Sequence, residues 1–242
     1  THFLNDILTV VNNEDKNQYL RSDTNMPKPD VVMDDDLKVK VIGFGALNLD
    51  KLFYVDEIVG PDEETFIKSE TSSPGGSAAN TMIALSKLGL PTSYIGKIAT
   101  DDDGDMLEMN LAKSGVFLNH LIYAEEGHSG KVLGFVDKNG VRSLYVDPGV
   151  NDDIVISELN HYFINQTKIL HYTSFVGESF HAQNELLDKL NDSVILSFDP
   201  GMLYVKKGVN GLRKILQRTN ILLINKNELM LLFKDYFCEK FN

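Results

Sequence analysis

The chain has 242 residues, 43% of them hydrophobic, enough for one large or two small packed cores. Its formal net charge of −12 at pH 7 argues against a nucleic-acid or anionic-membrane surface, because phosphate binding needs clustered Lys and Arg. Cys238 is the single cysteine, which excludes an intrachain disulfide framework. With no apolar run near the roughly 18 residues that cross a bilayer, a reducing cytoplasm is the expected compartment.

Residues 1–37 differ in character from the rest. Phe3, Leu4, Ile7, Leu8 and Val11 fall near helical spacing, and a polar stretch with Pro27, Pro29 and Asp34-Asp35-Asp36 follows. The segment reads as an N-terminal extension, its acidic triplet a solvated link.

The first core strand is expected over 38–50. Gly43-x-Gly45 after a strand invites a dinucleotide-binding reading. The third glycine position holds Asn48, however, and Leu52-Phe53-Tyr54-Val55 predicts strand where that motif needs a helix. That reading is set aside. Asn48 and Asp50 are two apart, hence on one face of an extended strand. Polar pairs at the carboxyl end of an apolar strand mark ligand sites in open α/β sheets, although turn residues at a strand end have the same pattern. Residues 52–59 and 65–70, split by Gly60-Pro61-Asp62, predict two further strands, a β excursion outside the main sheet.

Ser73-Pro74-Gly75-Gly76-Ser77-Ala78-Ala79-Asn80 then breaks the chain and opens a helix, with Ala79, Met82, Ile83 and Leu88 near helical spacing and Gly89 as the stop. The first turn of a helix has unpaired N–H groups and partial positive charge, and glycines let a ligand approach the backbone. Asn80, expected in that turn, both donates and accepts hydrogen bonds. Gly-Gly alone fits an ordinary turn before a core helix equally well.

Thr92–Ala99 is the second expected core strand. Asp101-Asp102-Asp103-Gly104 caps a helix over 106–114 that Gly115 ends, its acids serving the helix dipole rather than a metal. Residues 130–146 predict a hairpin turning at Lys138-Asn139-Gly140. Strands over 168–175, 193–198 and 220–224 then alternate with helices over 178–190, 209–218 and 228–237. This is the pattern of a parallel sheet covered by helices.

Taken in order, Asn48-x-Asp50, Gly75-Gly76-x-x-x-Asn80, Asp101-x-x-Gly104, the Asn139-Gly140 hairpin and Asn225-x-x-Glu228 resemble the ribokinase-like, phosphofructokinase B-type carbohydrate kinases. The resemblance runs from about Lys38 to the end of the chain. It implies an α/β fold with a mostly parallel sheet flanked by helices and a small β-sheet lid from 52–70 and 129–146, all within one incomplete domain, 38–242. It also implies transfer of the terminal phosphoryl group of ATP, with Mg2+, to a hydroxyl of a sugar or nucleoside. The implied partner is that small molecule, with no nucleic acid and no membrane, and a homodimer through the lid is a further hypothesis. By similarity Asn48, Asp50, Gly75, Gly76 and Asn80 bind the acceptor. Asn225 and Glu228 organise the magnesium-bound phosphates, Glu228 through water. Read alone, Asn225 and Glu228 serve equally as a strand-end turn and a first-turn glutamate favouring the helix dipole.

Two departures from the family pattern stand out. Asp199-Pro200-Gly201-Met202-Leu203 occupies the place where many sugar kinases of the family carry Asp-x-Asn-x-Arg. The family's Gly-Ala-Gly-Asp, source of oxyanion-stabilising N–H groups and of the general base, is absent from residues 1–242. The base is therefore expected beyond Asn242, with the C-terminal part of the fold missing and this chain not competent alone. The alternative is a non-catalytic sugar- or nucleoside-binding or regulatory protein derived from the same fold.

Overall fold

The computed structural model describes residues 39–234; the expected extension over 1–37 lies outside them. The strands are β1 (Val41–Phe44), β2 (Asn48–Val55), β3 (Ile67–Pro74), β4 (Thr92–Ala99), β5 (Leu121–Ala124), β6 (Gly130–Val136), β7 (Arg142–Asp147), β8 (Ile169–Thr173), β9 (Ile195–Asp199) and β10 (Ile221–Leu222). The helices are α1 (Ser77–Lys87), α2 (Asp102–Lys113), α3 (His161–Ile164), α4 (Ser179–Leu187), α5 (Gly201–Val205), α6 (Gly208–Gly211), α7 (Arg213–Arg218) and α8 (Lys226–Leu232). A six-stranded sheet has the order β10-β9-β8-β1-β4-β5, and every pairing in it is parallel. A second sheet, β3-β2-β6-β7, is mixed: β2 pairs antiparallel with β3 and parallel with β6, and β6 and β7 form the hairpin. No helix among the described residues is long and apolar enough to cross a membrane.

The period of two along β1 divides the core. Ile42 and Phe44 join a cluster with Leu170, Tyr172, Leu196 and Phe198, whereas Val41 joins Ala78, Met82, Leu107 and Leu111. A Cβ on Gly43 would lie 2.7 Å from Met82 Cγ, so the bare backbone lets α1 sit directly on the strand. Burial of each such large side chain contributes about 1.5–3 kcal/mol.

The strand expected over 38–50 is in fact two. The chain leaves the main sheet at Gly45, where a Cβ would fall 1.9 Å from Thr173 Oγ1 and where the carbonyl accepts the buried Tyr94 hydroxyl at 2.7 Å. It re-pairs from Asn48 in the second sheet. Asn48 and Asp50 thus begin a strand of the small sheet instead of ending one of the large sheet. Alternation still holds: Leu49 is buried and the two polar neighbours are half-buried.

Other boundaries moved for local reasons. β3 runs on through Ser72, Ser73 and Pro74, because β2 offers partners as far as Leu49↔Pro74. Helix α2 starts at Asp102, since Asp101 Oδ1 accepts the Gly104 N–H at 2.7 Å and sets the cap there. The helix expected over 209–218 is broken into α6 and α7. Leu88, expected on the buried stripe, lies past the end of α1 and is 67% exposed. Strand β5, helix α3 and the 3-10 turns Gly149–Asp153 and Ile156–Glu158 were not foreseen.

Charge adds to the buried Leu49 in holding the small sheet to the body. Asp103, in the first turn of α2, takes Lys51 from β2 and Lys131 from β6, both at 3.1 Å. Within the sheet, Phe53 and Phe135 are directly opposite and stack at 5.4 Å.

Candidate functional site

The order of the large sheet reverses at β1: β4 and β5 lie to one side of it, β8, β9 and β10 to the other. Open α/β sheets bind ligands beyond the carboxyl ends of the strands at such a reversal. A cleft of about 120 Å³ opens there, lined by Ala46 after β1 and by Thr173, Ser174 and Phe175 at the end of β8. Val146 and Pro148, at the end of the small sheet, and Leu203 of α5 complete its rim.

One buried residue shapes the crossing between the two sheets. Asn151 is fully buried; its Oδ1 accepts the Leu47 N–H at 3.0 Å, and its Nδ2 donates to the Leu47 carbonyl at 2.8 Å and to Asn48 Oδ1 at 2.9 Å. The side chain therefore replaces the ladder partner that Leu47 lacks between β1 and β2. It also fixes the Asn48 amide at the cleft wall. Asn151 went unnoticed in the sequence because an Asn after Pro148-Gly149 has the pattern of any turn.

Of the residues singled out by the motifs, Asn48, Asp50, Gly75 and Gly76 come together. The Gly75 N–H donates to the Asn48 carbonyl at 2.8 Å. The Asp50 carboxylate lies against Gly75, where a Cβ would be 2.4 Å from Oδ2 and 2.7 Å from Oδ1. Burial raises the Asp50 pKa above the usual carboxylate value. Gly76 caps α1 at φ 107°, and a Cβ there would meet the Ala46 carbonyl at 2.5 Å. Asn48 and Gly76 line the cleft; Asp50 is opposite Ser73 in the β2–β3 pairing, and Gly75 follows the end of β3. Asn80 is the fourth residue of α1, exposed, and does not line the cleft.

Two side chains not foreseen, Ser77 and Asp152, also belong here. Ser77, at the start of α1, donates to Asp199 Oδ2 at 3.1 Å and ties the helix N-terminus to the end of β9. Asp152 follows Asn151 into the cleft wall, its pKa pushed up to about 6, chiefly by burial. Asp101, of the Asp101-x-x-Gly104 motif, lies outside the cleft lining and accepts from Ser129 N and Oγ as well as from Gly104 N. Burial opposes it, but those bonds hold its pKa below the ordinary value.

Asn225 and Glu228 form a reciprocal cap at the start of α8. Asn225 Oδ1 accepts the Glu228 N–H at 3.0 Å, and Glu228 Oε2 accepts the Asn225 N–H at 3.1 Å. Neither lines the cleft. Among the described residues, no group of three or more His, Cys, Asp or Glu is placed to hold a metal ion.

A sequence profile of the pfkB family carbohydrate kinases matches residues 38–236. The chain belongs to this family. Among pfkB relatives, it is 39% identical over 157 residues to an uncharacterized sugar kinase of Archaeoglobus fulgidus, covering 63% of this chain and 61% of that protein. It is 29% identical over 199 residues to the ATP-dependent ribose-1-phosphate kinase of Halopiger xanaduensis, covering 82% and 66%. The crystal structure of ribokinase from Thermotoga maritima superposes with a TM-score of 0.72 at 25% identity, covering 84% of this chain and 65% of that one. The fold is thus ribokinase-like, and the chain spans between three fifths and two thirds of these proteins' lengths.

Proposed function

We propose that this chain carries the acceptor side of a kinase that moves the terminal phosphoryl group of ATP to a hydroxyl of a sugar or nucleoside. The observation that carries the reading is the half-buried Asp50 carboxylate, seated against Gly75 beside the cleft at the sheet reversal. A carboxylate accepts two hydroxyl donors at once and so selects the stereochemistry of a polyol. Asn48, oriented by Asn151, adds an amide, and Gly76 adds backbone to the cleft wall. The relative named as a sugar kinase supports this class of acceptor, and the one named as an ATP-dependent ribose-1-phosphate kinase supports ATP as the donor.

Asn225 and Glu228 are the proposed contacts to the magnesium-bound phosphates. One carboxylate and one amide, interlocked as a cap, are too few for an inner metal shell but fit a magnesium ion that keeps its waters. When bound, magnesium neutralises charge on the transferred phosphoryl group. What this chain's own residues do is position: Asp50 and Asn48 orient the acceptor hydroxyl, and closure of the small sheet excludes water. Residues 1–242 contain no Gly-x-Gly-Asp, so these residues alone are expected to bind an acceptor and transfer phosphate slowly. Absence of a general base typically costs ~10²–10⁴ in rate.

The test is calorimetric binding of D-ribose, D-fructose and adenosine, followed by a coupled assay with ATP and magnesium. Asp50→Asn should weaken acceptor binding by about tenfold or more while leaving the melting temperature near wild type. Undiminished binding in that variant defeats the assignment.

A further inference from the structure

The cleft holds a second carboxylate that the motifs do not account for. Asp152 lines it from the 3-10 turn that follows the small sheet. The backbone there is clamped on both sides: the Asn151 side chain is fixed to Leu47 and Asn48, the Ser179 hydroxyl donates to the Asn151 carbonyl, and the Ile154 N–H donates to Ser179 Oγ at 3.0 Å. The carboxylate rests against Gly177, whose Cβ, if present, would be 3.1 Å from Asp152 Cγ, and it accepts from the Val176 N–H.

Its other needs are unmet. Oδ1 is buried without a donor. The titratable groups facing Asp152 are Asp153, next in the chain, and Tyr204 of α5. The Tyr204 hydroxyl is already committed to Gln183 Oε1 at 2.8 Å. No Lys, Arg or His lines the cleft among the described residues. A rigidly placed carboxylate without a counter-ion lowers stability unless something else supplies the donor.

We propose that Asp152 is a specificity-determining residue of the acceptor cleft, taking a hydrogen bond from a hydroxyl or amino group of an uncharged acceptor and disfavouring a phosphorylated one. This rests on the reading of the cleft as an acceptor site. A carboxylate lining the cleft repels a ligand phosphate that has no intervening cation, whereas a neutral polyol or nucleoside donates to it without that repulsion. Because a donor favours the ionised carboxylate, binding an uncharged acceptor near pH 6 should release a proton.

The experiment is calorimetric titration of the full-length protein with D-ribose, D-fructose, adenosine and ribose 1-phosphate, in two buffers of different ionisation enthalpy at pH 6. Wild type should bind an uncharged probe more tightly than ribose 1-phosphate, with proton release. Asp152→Asn and Asp152→Ser should each weaken that binding by about tenfold or more and abolish the proton release, whereas Asp153→Asn should leave the binding close to wild type and reduce the proton release without abolishing it. Melting curves establish that the variants fold. Binding by Asp152→Asn as tight as wild type, absence of proton release in wild type, or preference for ribose 1-phosphate each overturns the proposal. Asp50→Asn separates the two readings. Loss of binding there with none at Asp152 defeats this inference alone. Loss at Asp152 with none at Asp50 defeats the role given to Asp50. Wild type that binds no uncharged probe defeats both.

Discussion

Gly75 and Gly76 stand side by side for different physical reasons, and their substitutions should separate accordingly. At Gly76 the φ of 107° is left-handed and the obstacle to a Cβ is backbone, the Ala46 carbonyl. Gly76→Ala should cost about 1–3 kcal/mol of stability, read as a lowered midpoint in urea. At Gly75 the obstacle is the Asp50 carboxylate, the far end of a side chain that can rotate. Gly75→Ala should therefore leave the midpoint close to wild type and weaken acceptor binding instead. Two aspartates make an opposed pair in pH dependence. Asp101 has a folded pKa below its ordinary 3.8, so its contribution is complete above that value and lost as pH falls through the depressed one. Asp152 protonates at about 6 when folded against 3.8 ordinarily, so the fold loses stability as pH rises between those values. Asp152→Asn should remove that loss and raise the melting temperature at neutral pH by a few degrees; Asp101→Asn should lower it. Matched melting curves from pH 3 to 8 check both signs.

Among the elements, the small sheet shows most clearly how packing and function meet. β3 and β7, its outer strands, are almost wholly exposed, and β2 and β6 carry the links to the body. Asp103 is the shared partner of Lys51 and Lys131 and is mostly shielded from solvent. Its removal frees two ammonium groups on adjacent strands, which then repel. Asp103→Ala is expected to cost about 1 kcal/mol and to speed hydrogen exchange in β2 and β6 more than in β1, β4 or β8. Equal protection across both sheets would show that the clamp does not hold the small sheet in place.

For the molecule as a whole, the small sheet leaves apolar surface that needs a cover. Tyr54, Leu144 and Tyr145 are exposed there, on a layer too thin to bury both faces by itself. A second copy of the chain is the proposed cover, with closure over bound acceptor as the other way to bury the same surface. Sedimentation should detect a concentration-dependent dimer that Leu144→Glu together with Tyr145→Glu dissolves into monomers. A monomer at every concentration in the unsubstituted protein would leave the acceptor as the cover.

Much of this architecture follows from local sequence. The short strand-forming runs over β4, β8 and β9, the Asn139-Gly140 turn, and the strand–helix alternation after residue 168 each report a preference that the neighbouring residues fix by themselves. Gly75-Gly76 before a helix was equally legible, because a break and a cap are local events. The split of the first strand at Gly45 was not: Ala46 and Leu47 are as apolar as a continuing strand, and only Thr173 and Tyr94, brought in from β8 and β4, make the chain turn out of the sheet. Asn151 and Asp152 were hidden for the same reason. Between Gly149 and Asp153 they have the composition of any polar turn, and their roles come from Leu47 and Asn48, more than a hundred residues earlier in the chain, and from Val176 and Gly177 across the cleft. Sequence alone determined most of the long strands and helices and carried the ordered motifs that resemble the family, because a run, a break and a cap are set by neighbouring residues. Tertiary structure alone decided which side chains are buried without partners, because that depends on contacts between segments far apart in the chain.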